Sequence, residues 1–293
     1  VTTPEAGEVL LDAGDGGRLA LSVLHPLERS DREPPVVVLA HGWGGSRRIW
    51  SLVTDRLLRS GFPVVSYDLR GHGASTVGSS GVTAEAMTAD LAAVVSYAGG
   101  APIVVGHSGG GFAALSLMAT SGPGAGPVGL VLVASAAHDQ DTPEKEAAMM
   151  EAPLFSWALR RPAVGRLLLG QMTGTSLDSR SREVNRQVFA GTAPAVRAAC
   201  FRSSRGMDLR AASASLRIPA EVLAGEKDKV IRPELGRELA AALPDATFTP
   251  LPGAGHVLPL ESPDAVVAAV LRVDRAFAGR STSDDTVQRT GSR

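Results

Sequence analysis

The sequence is short of cysteine. Cys200 is the single one in 293 residues, which excludes an intramolecular disulfide and any cysteine-based metal centre. An excess of either charge is also missing. The 29 Lys and Arg face 30 Asp and Glu, a formal net charge of −1, so no global field draws the chain toward nucleic acid or a membrane. Aromatic residues make up only 4%, which further disfavours a nucleic-acid module. No run approaches the roughly 20 apolar residues of a membrane span. The opening VTTPEAGEVLLDAGDGG has neither a basic stretch nor a long apolar core, so no signal peptide is expected. No HExxH appears and no GxGxxG follows a strand, so neither a metal nor a nicotinamide cofactor is implied. These absences predict a cytoplasmic globular protein that works without a cofactor. Scarce lysine beside abundant Ala, Gly and Arg suggests an actinobacterial source.

Apolar runs supply the first positive signal. EVLLDAG and RLALSVLHP read as two early antiparallel strands across the turn-rich GDGG. PPVVVLAHG, PVVSYDLRGHG, PIVVGHS, GLVLVASAA and AEVLAGEKD are near-continuous runs, with ATFTPLPGAGH a weaker last strand. Continuous runs suit strands covered on both faces. Helical periodicity lies between them: Leu91, Val94, Val95 and Ala98 within 83–98, a stretch after Gly109, and another from Pro233 to Leu243. The alternation predicts an α/β protein with a mainly parallel, doubly wound sheet flanked by helices. It fails once, over 139–208, where short helical pieces are broken by Pro153, Pro162, Gly174 and Pro194. The expected organisation is a core over 1–138 and 209–279, an inserted helical cap over 139–208, and a polar, disordered tail over 280–293. From Phe155 to Arg217 there are 11 Arg, no Lys and three acids. This is a solvated basic surface or a site attracting an anionic substrate or acidic carrier protein.

Gly106-His107-Ser108-Gly109-Gly110 fits G-x-S-x-G. Between an apolar strand and an Ala-rich helix, that pattern makes a sharp turn that lifts the serine hydroxyl clear of the sheet. A serine is a poor nucleophile until a base takes its proton. Of six histidines, His256 in the loop after the last strand is placed to reach across the strand ends. Asp228, 28 residues earlier, is the first candidate to orient it, with Glu226, Asp139 and Asp141 as alternatives. The backbone N–H groups of Trp43 and Gly109 are the natural donors to a developing oxyanion. His41, His107 and His138 are candidates for the substrate pocket, although His107 should point away from the nucleophile. His25 reads as a surface residue and His72 as a turn residue.

Four stretches carry a family resemblance: HGWGG at 41–45, DLRGHGAS at 68–75, GHSGGG at 106–111, and GEKD…GAGH ending at His256. Over about residues 8 to 275 the chain resembles the α/β-hydrolase superfamily in its capped, single-domain branch, and the order Ser, Asp, His agrees. A serine at the elbow sets aside the dehalogenases and epoxide hydrolases, which carry aspartate there. The elbow departs from many relatives in having Gly109 where they have Met or Leu, which leaves pocket shape open. The resemblance implies a serine hydrolase with a small-molecule acyl substrate, an ester or thioester. An acyltransferase, a C–C bond hydrolase and a cofactor-free haloperoxidase or perhydrolase use the same triad, and a non-catalytic receptor or scaffold is the alternative of another class. Nothing in the sequence fixes the oligomeric state.

Overall fold

The structure is a computed structural model and describes residues 6–27, 32–121, 126–140, 142–175 and 177–290. Eight strands form one sheet: β1 (Ala6–Asp12), β2 (Arg18–Leu24), β3 (Val37–Ala40), β4 (Val64–Tyr67), β5 (Ile103–His107), β6 (Gly129–Val133), β7 (Ala220–Gly225) and β8 (Ala246–Leu251). Their order is β1-β2-β4-β3-β5-β6-β7-β8. The first two pairings, β1 with β2 and β2 with β4, are antiparallel. All others are parallel.

The core helices are α1 (Ser51–Arg59), α2 (Ala84–Ala98) and α3 (Gly109–Thr120). Helices α4 (Glu144–Glu151), α5 (Pro153–Arg160), α6 (Pro162–Leu169), α7 (Ser179–Gly191) and α8 (Pro194–Ser203) fill the interval between β6 and β7. After them come the one-turn α9 (Arg210–Ser213), α10 (Pro233–Ala242), the short α11 (Leu258–Glu261) and α12 (Pro263–Thr290). Thr83 starts α2 by accepting the Ala86 N–H.

The apolar strands split between two cores by alternation. Val38, Val104, Leu130 and Val222 face one layer with Leu91 and Val94 of α2, Leu115 of α3 and Leu239 of α10. Val37, Leu39, Ile103, Val105 and Val133 face the other with Val53 and Leu57 of α1 and Val266, Val270 and Val273 of α12. Both faces being covered is the reason these strands read as unbroken hydrophobic runs. Helices α1 and α12 and the one-turn α9 and α11 were not read from the sequence; α12 opens on the apolar run AVVAAVL, which periodicity alone does not assign to helix or strand. Most of the tail over 280–293 is taken up by α12, because no Gly or Pro interrupts 281–290. Residues 291–293 lie outside the described residues.

The α4–α8 interval begins and ends at one bridge. His138 pairs antiparallel with Asp208, Asp139 N–H donates to the Met207 carbonyl and Leu209 N–H to that of Ala137. The arginines of this interval are largely engaged within it. Arg197 is buried and donates to the Met150, Phe189 and Thr192 carbonyls and to Ser156 Oγ. Arg166 and Arg186 share Glu183, whose carboxyl they hold down near about 2. Arg202 bridges Glu144 and Glu151, and Arg205 also reaches Glu144.

One buried ion pair braces the core beside β4. Arg70 donates twice to Asp90 of α2, at 2.7 Å each. It also donates to Asp15 at 3.0 Å and to the Gly81 carbonyl at 2.8 Å. Both side chains of the main pair are all but inaccessible to solvent.

Candidate active site

The β5–α3 turn is tight because glycine surrounds it. Ser108 sits at φ 51°, ψ −117°, a conformation that costs an L-residue of order 1–3 kcal/mol and persists where its surroundings over-determine it. A Cβ on Gly106 would lie 2.6 Å from the Gly111 Cα. One on Gly110 would meet the Ala40 carbonyl, and one on Gly111 the Ser135 hydroxyl. The glycines therefore let the elbow press against β3 and the end of β6. Ser135 Oγ, fully buried, donates to the Ser108 carbonyl and fixes the turn from below.

Gly109 has a different neighbour. A Cβ there would fall 2.5 Å from Cδ1 of Trp43. The indole thus occupies the room beside Ser108 that a side chain at position 109 would need. Trp43 stacks on Phe112 at 5.8 Å and touches Phe201 at 5.6 Å. Among the described residues, the backbone N–H groups of Trp43 and Gly109 find no acceptor within the protein. For Gly109 this follows from its place in the first turn of α3.

The residues after β7 and β8 meet. His256 Nδ1 donates to Asp228 Oδ2 at 2.8 Å, both side chains buried. The other Asp228 oxygen accepts the Val230 and Ile231 N–H groups at 2.8 and 3.0 Å. With Nδ1 carrying its proton toward Asp228, Nε2 of His256 is left as an acceptor. Glu226 is exposed, so it does not compete with Asp228. Asp139 accepts from Gly206 N–H instead, and Asp141 lies outside the described residues.

Ser108 and His256 line one cavity of about 480 Å³. Its apolar wall includes Trp43, Phe112, Phe155, Leu169, Phe189 and Phe201. Polar groups at its rim include Gln140, Glu146, Gln171 and Lys229.

None of the three histidines expected at the pocket lines this cavity. His41 accepts the Leu69 N–H on Nε2 at 2.9 Å and donates from Nδ1 to the Gly42 carbonyl at 2.7 Å. It is fully buried and ties β3 to the DLRGHG loop. His107 donates from Nε2 to the His256 carbonyl at 2.8 Å, because strand alternation turns it away from the cavity. His138 lines a separate open cleft with Arg210 and Arg232, held there by the bridge to Asp208. His72, as expected, serves a turn: it accepts the Gly44 N–H and donates to the Arg70 carbonyl. His25 is exposed.

Burial depresses all three inner histidines. It takes His72 to about 4 and His107 to about 3, the latter helped by the neighbouring His256. It holds His41 well below its ordinary value. Unfolded, each binds a proton as pH falls through about 6.5, whereas the folded state does not until far lower. Their stabilisation is therefore complete above about pH 6.5 and is lost as pH falls toward those depressed values. Stability to urea is expected to fall by about 1.4 kcal/mol per histidine between about pH 7.5 and about pH 5.5. An unchanged urea midpoint over that interval rejects the assignment.

One positioning group escaped the sequence. The Glu261 carboxylate accepts N–H bonds from Gly174 at 2.7 Å, Gly255 at 2.8 Å and Val257 at 3.0 Å. The His256 N–H donates to the Met172 carbonyl at 2.7 Å. An acid five residues past His256 was visible, but nothing in its spacing showed that it would fold back on the loop.

A mainly parallel sheet with a strained serine turn at its centre, and a His–Asp pair from the loops beyond, defines the α/β-hydrolase class. Residues 37–269 match the alpha/beta hydrolase family, and the chain belongs to it. One relative is BpoC of Mycobacterium tuberculosis, described as a candidate non-heme bromoperoxidase. It is 32% identical over 256 residues, covering 81% of this chain and 92% of BpoC. A hydrolase from Pseudomonas aeruginosa PA01 superposes with a TM-score of 0.77 at 27% identity, covering 93% and 98% of the two chains. The esterase EaEST of Exiguobacterium antarcticum shares the fold at a TM-score of 0.79 and 16% identity, over 92% and 100%. No helix among the described residues is long and apolar enough to cross a membrane.

Proposed function

We propose that this enzyme is a serine hydrolase that cleaves a carboxylic ester or thioester through an acyl-enzyme on Ser108. The observation that carries the reading is the buried 2.8 Å His256–Asp228 pair, whose imidazole shares a cavity with the elbow serine. Ser108 Oγ attacks the carbonyl carbon while His256 Nε2 takes its proton. Asp228 holds the tautomer and stabilises the cation. The N–H groups of Trp43 and Gly109 receive the oxyanion, each donor being worth about 2.7–4 kcal/mol in such a site. His256 then returns the proton to the departing alcohol or thiol, and water repeats the sequence to release the acid.

The likeness to BpoC supports a second reading. Hydrogen peroxide would replace water as acceptor, giving a peracid and free Ser108. The two differ only in what reaches the acyl-enzyme.

A fluorophosphonate is expected to add once to the wild type by intact mass and not at all to Ser108→Ala. Turnover of p-nitrophenyl esters of increasing length then measures the acyl depth of the cavity. Peracid formation from a short carboxylic acid and peroxide, without ester turnover, would favour the second reading. No adduct and no turnover would mean that the elbow serine is not a nucleophile.

A further inference from the structure

The large apolar side chains left exposed are not scattered. Among the described residues, six of the ten lie within 149–168: Met149, Leu154, Trp157, Val164, Leu167 and Leu168. Leu154 and Leu167 are 75% and 78% accessible, values far from a residue that packs against its own chain. The α5–α6 hairpin buries its other side. Ser156, Leu159, Gly165 and Leu169 face inward, so the hairpin is held in place while its outer face stays free.

The chemistry of that face is specific. From Pro153 to Gly170 the sequence PLFSWALRRPAVGRLLLG contains three arginines and no acid, and among the described residues only Arg166 of the three is paired, with Glu183 of α7. Arg160 and Arg161 are exposed, and the Arg161 guanidinium lies over the Trp157 ring at 5.0 Å. A tryptophan, leucines and arginines on one exposed face are what an interfacial helix presents to a lipid surface. A second copy fits less well. Two such faces brought together would oppose arginine to arginine with no carboxylate in the hairpin to receive them. An anionic lipid headgroup supplies that partner. The near-zero net charge of the chain gives no sign of this, since the asymmetry is local.

The face also adjoins the cavity. Leu168 and Met149 are exposed and line the space that holds Ser108 and His256. We infer that the outer face of the α5–α6 hairpin docks on an anionic lipid surface and presents the mouth of the Ser108 cavity to an acyl ester carried there. This rests on the serine-hydrolase reading for the ester and on the exposed hairpin alone for the docking.

The test separates the two. The wild-type chain is sedimented with vesicles of phosphatidylcholine, with and without about one-quarter phosphatidylglycerol. It is expected to partition onto the anionic vesicles, less so as salt rises. The triple variant Leu154→Ser/Trp157→Ser/Leu167→Ser should lose about tenfold or more of that partitioning, and Arg160→Gln/Arg161→Gln should lose the preference for anionic lipid. None of these five side chains lines the cavity, so turnover of a dissolved short ester should stay within about twofold for both variants. That control also reports folding. Equal partitioning of wild type and triple variant overturns the docking. So does a wild-type dimer that the triple variant converts to monomer without any vesicle binding, or saturable binding of an acidic carrier protein in place of vesicles. Vesicle binding without fluorophosphonate labelling leaves the docking standing and removes the hydrolase reading. Labelling without vesicle binding does the reverse.

Discussion

Ser108→Ala is expected to lower kcat on p-nitrophenyl esters by about five to six orders of magnitude. KM should move far less, because the cavity wall is untouched. The remaining rate would come from the Trp43 and Gly109 N–H groups and from binding. Asp228→Asn tests the same machinery from the other side. The amide keeps the shape of the site but can present its NH₂ to His256, which favours the wrong tautomer, and kcat should fall by about 10⁴. Two further features make these clean experiments. Ser108 contributes only backbone bonds to its turn, so its hydroxyl is dispensable for folding. Asp228 anchors the Val230 and Ile231 N–H groups through one oxygen, which asparagine retains. A loss below about tenfold in Ser108→Ala would mean that another group attacks the substrate.

The largest stability effect is expected at Asp90. Replacing it by alanine leaves the Arg70 guanidinium buried with its main partner gone, and removing one side of a buried pair costs about 3–5 kcal/mol. Asp15 retains Arg70 at 3.0 Å but sits nearer solvent and cannot receive both donated N–H groups now facing α2. Replacing both partners, Arg70→Met with Asp90→Leu, should recover at least half of the loss, since the desolvation penalty disappears with the charges. The measurement is the free energy of urea unfolding for wild type, single and double variants at one pH. If Asp90→Ala costs under about 1 kcal/mol, the pair behaves like a surface bridge and the account fails. The effect should reach the site as well. Arg70 offers its carbonyl to His72, which in turn accepts from Gly44 beside Trp43, so the loop that carries one of the proposed oxyanion donors is hung on the same ion pair.

How much of this was legible in the sequence varies with how local the cause is. Strands β3 to β7 were visible because burial on two faces writes itself as a continuous apolar run, while β1 and β2 showed through the turn-rich GDGG between them and β8 only weakly. The elbow was visible because G-x-S-x-G stands between an apolar run and an Ala-rich helix; only Gly106 is demanded by near neighbours, Gly110 and Gly111, whereas Gly109, Gly110 and Gly111 answer to Trp43, Ala40 and Ser135. Asp228 and His256 could be paired because loops at the same end of adjacent strands β7 and β8 must lie together. The partners of the inner histidines were not legible in the same way. His41, His72 and His107 sit in motifs that look chemical, yet each is fixed by a backbone group far along the chain: Leu69, Gly44 and His256. No spacing rule names those partners. Trp43 was expected to offer its N–H; that its indole also lies against Gly109 depends on a contact across 66 residues. Glu261 is the plainest case, being one more carboxylate near a helix start until the chain folds back on it.

That carboxylate has a consequence for anyone who would exchange lids between relatives. Glu261 holds Gly174 with one hand and the residues on either side of His256 with the other, while Met172 receives the His256 amide. The segment over 172–174 is thus a shared joint rather than lid alone. A chimaera cut at the His138–Asp208 bridge would look modular on paper and still arrive with His256 out of register. The graft that works is expected to keep Met172 to Gly174 from the host and to import only what lies outside that joint.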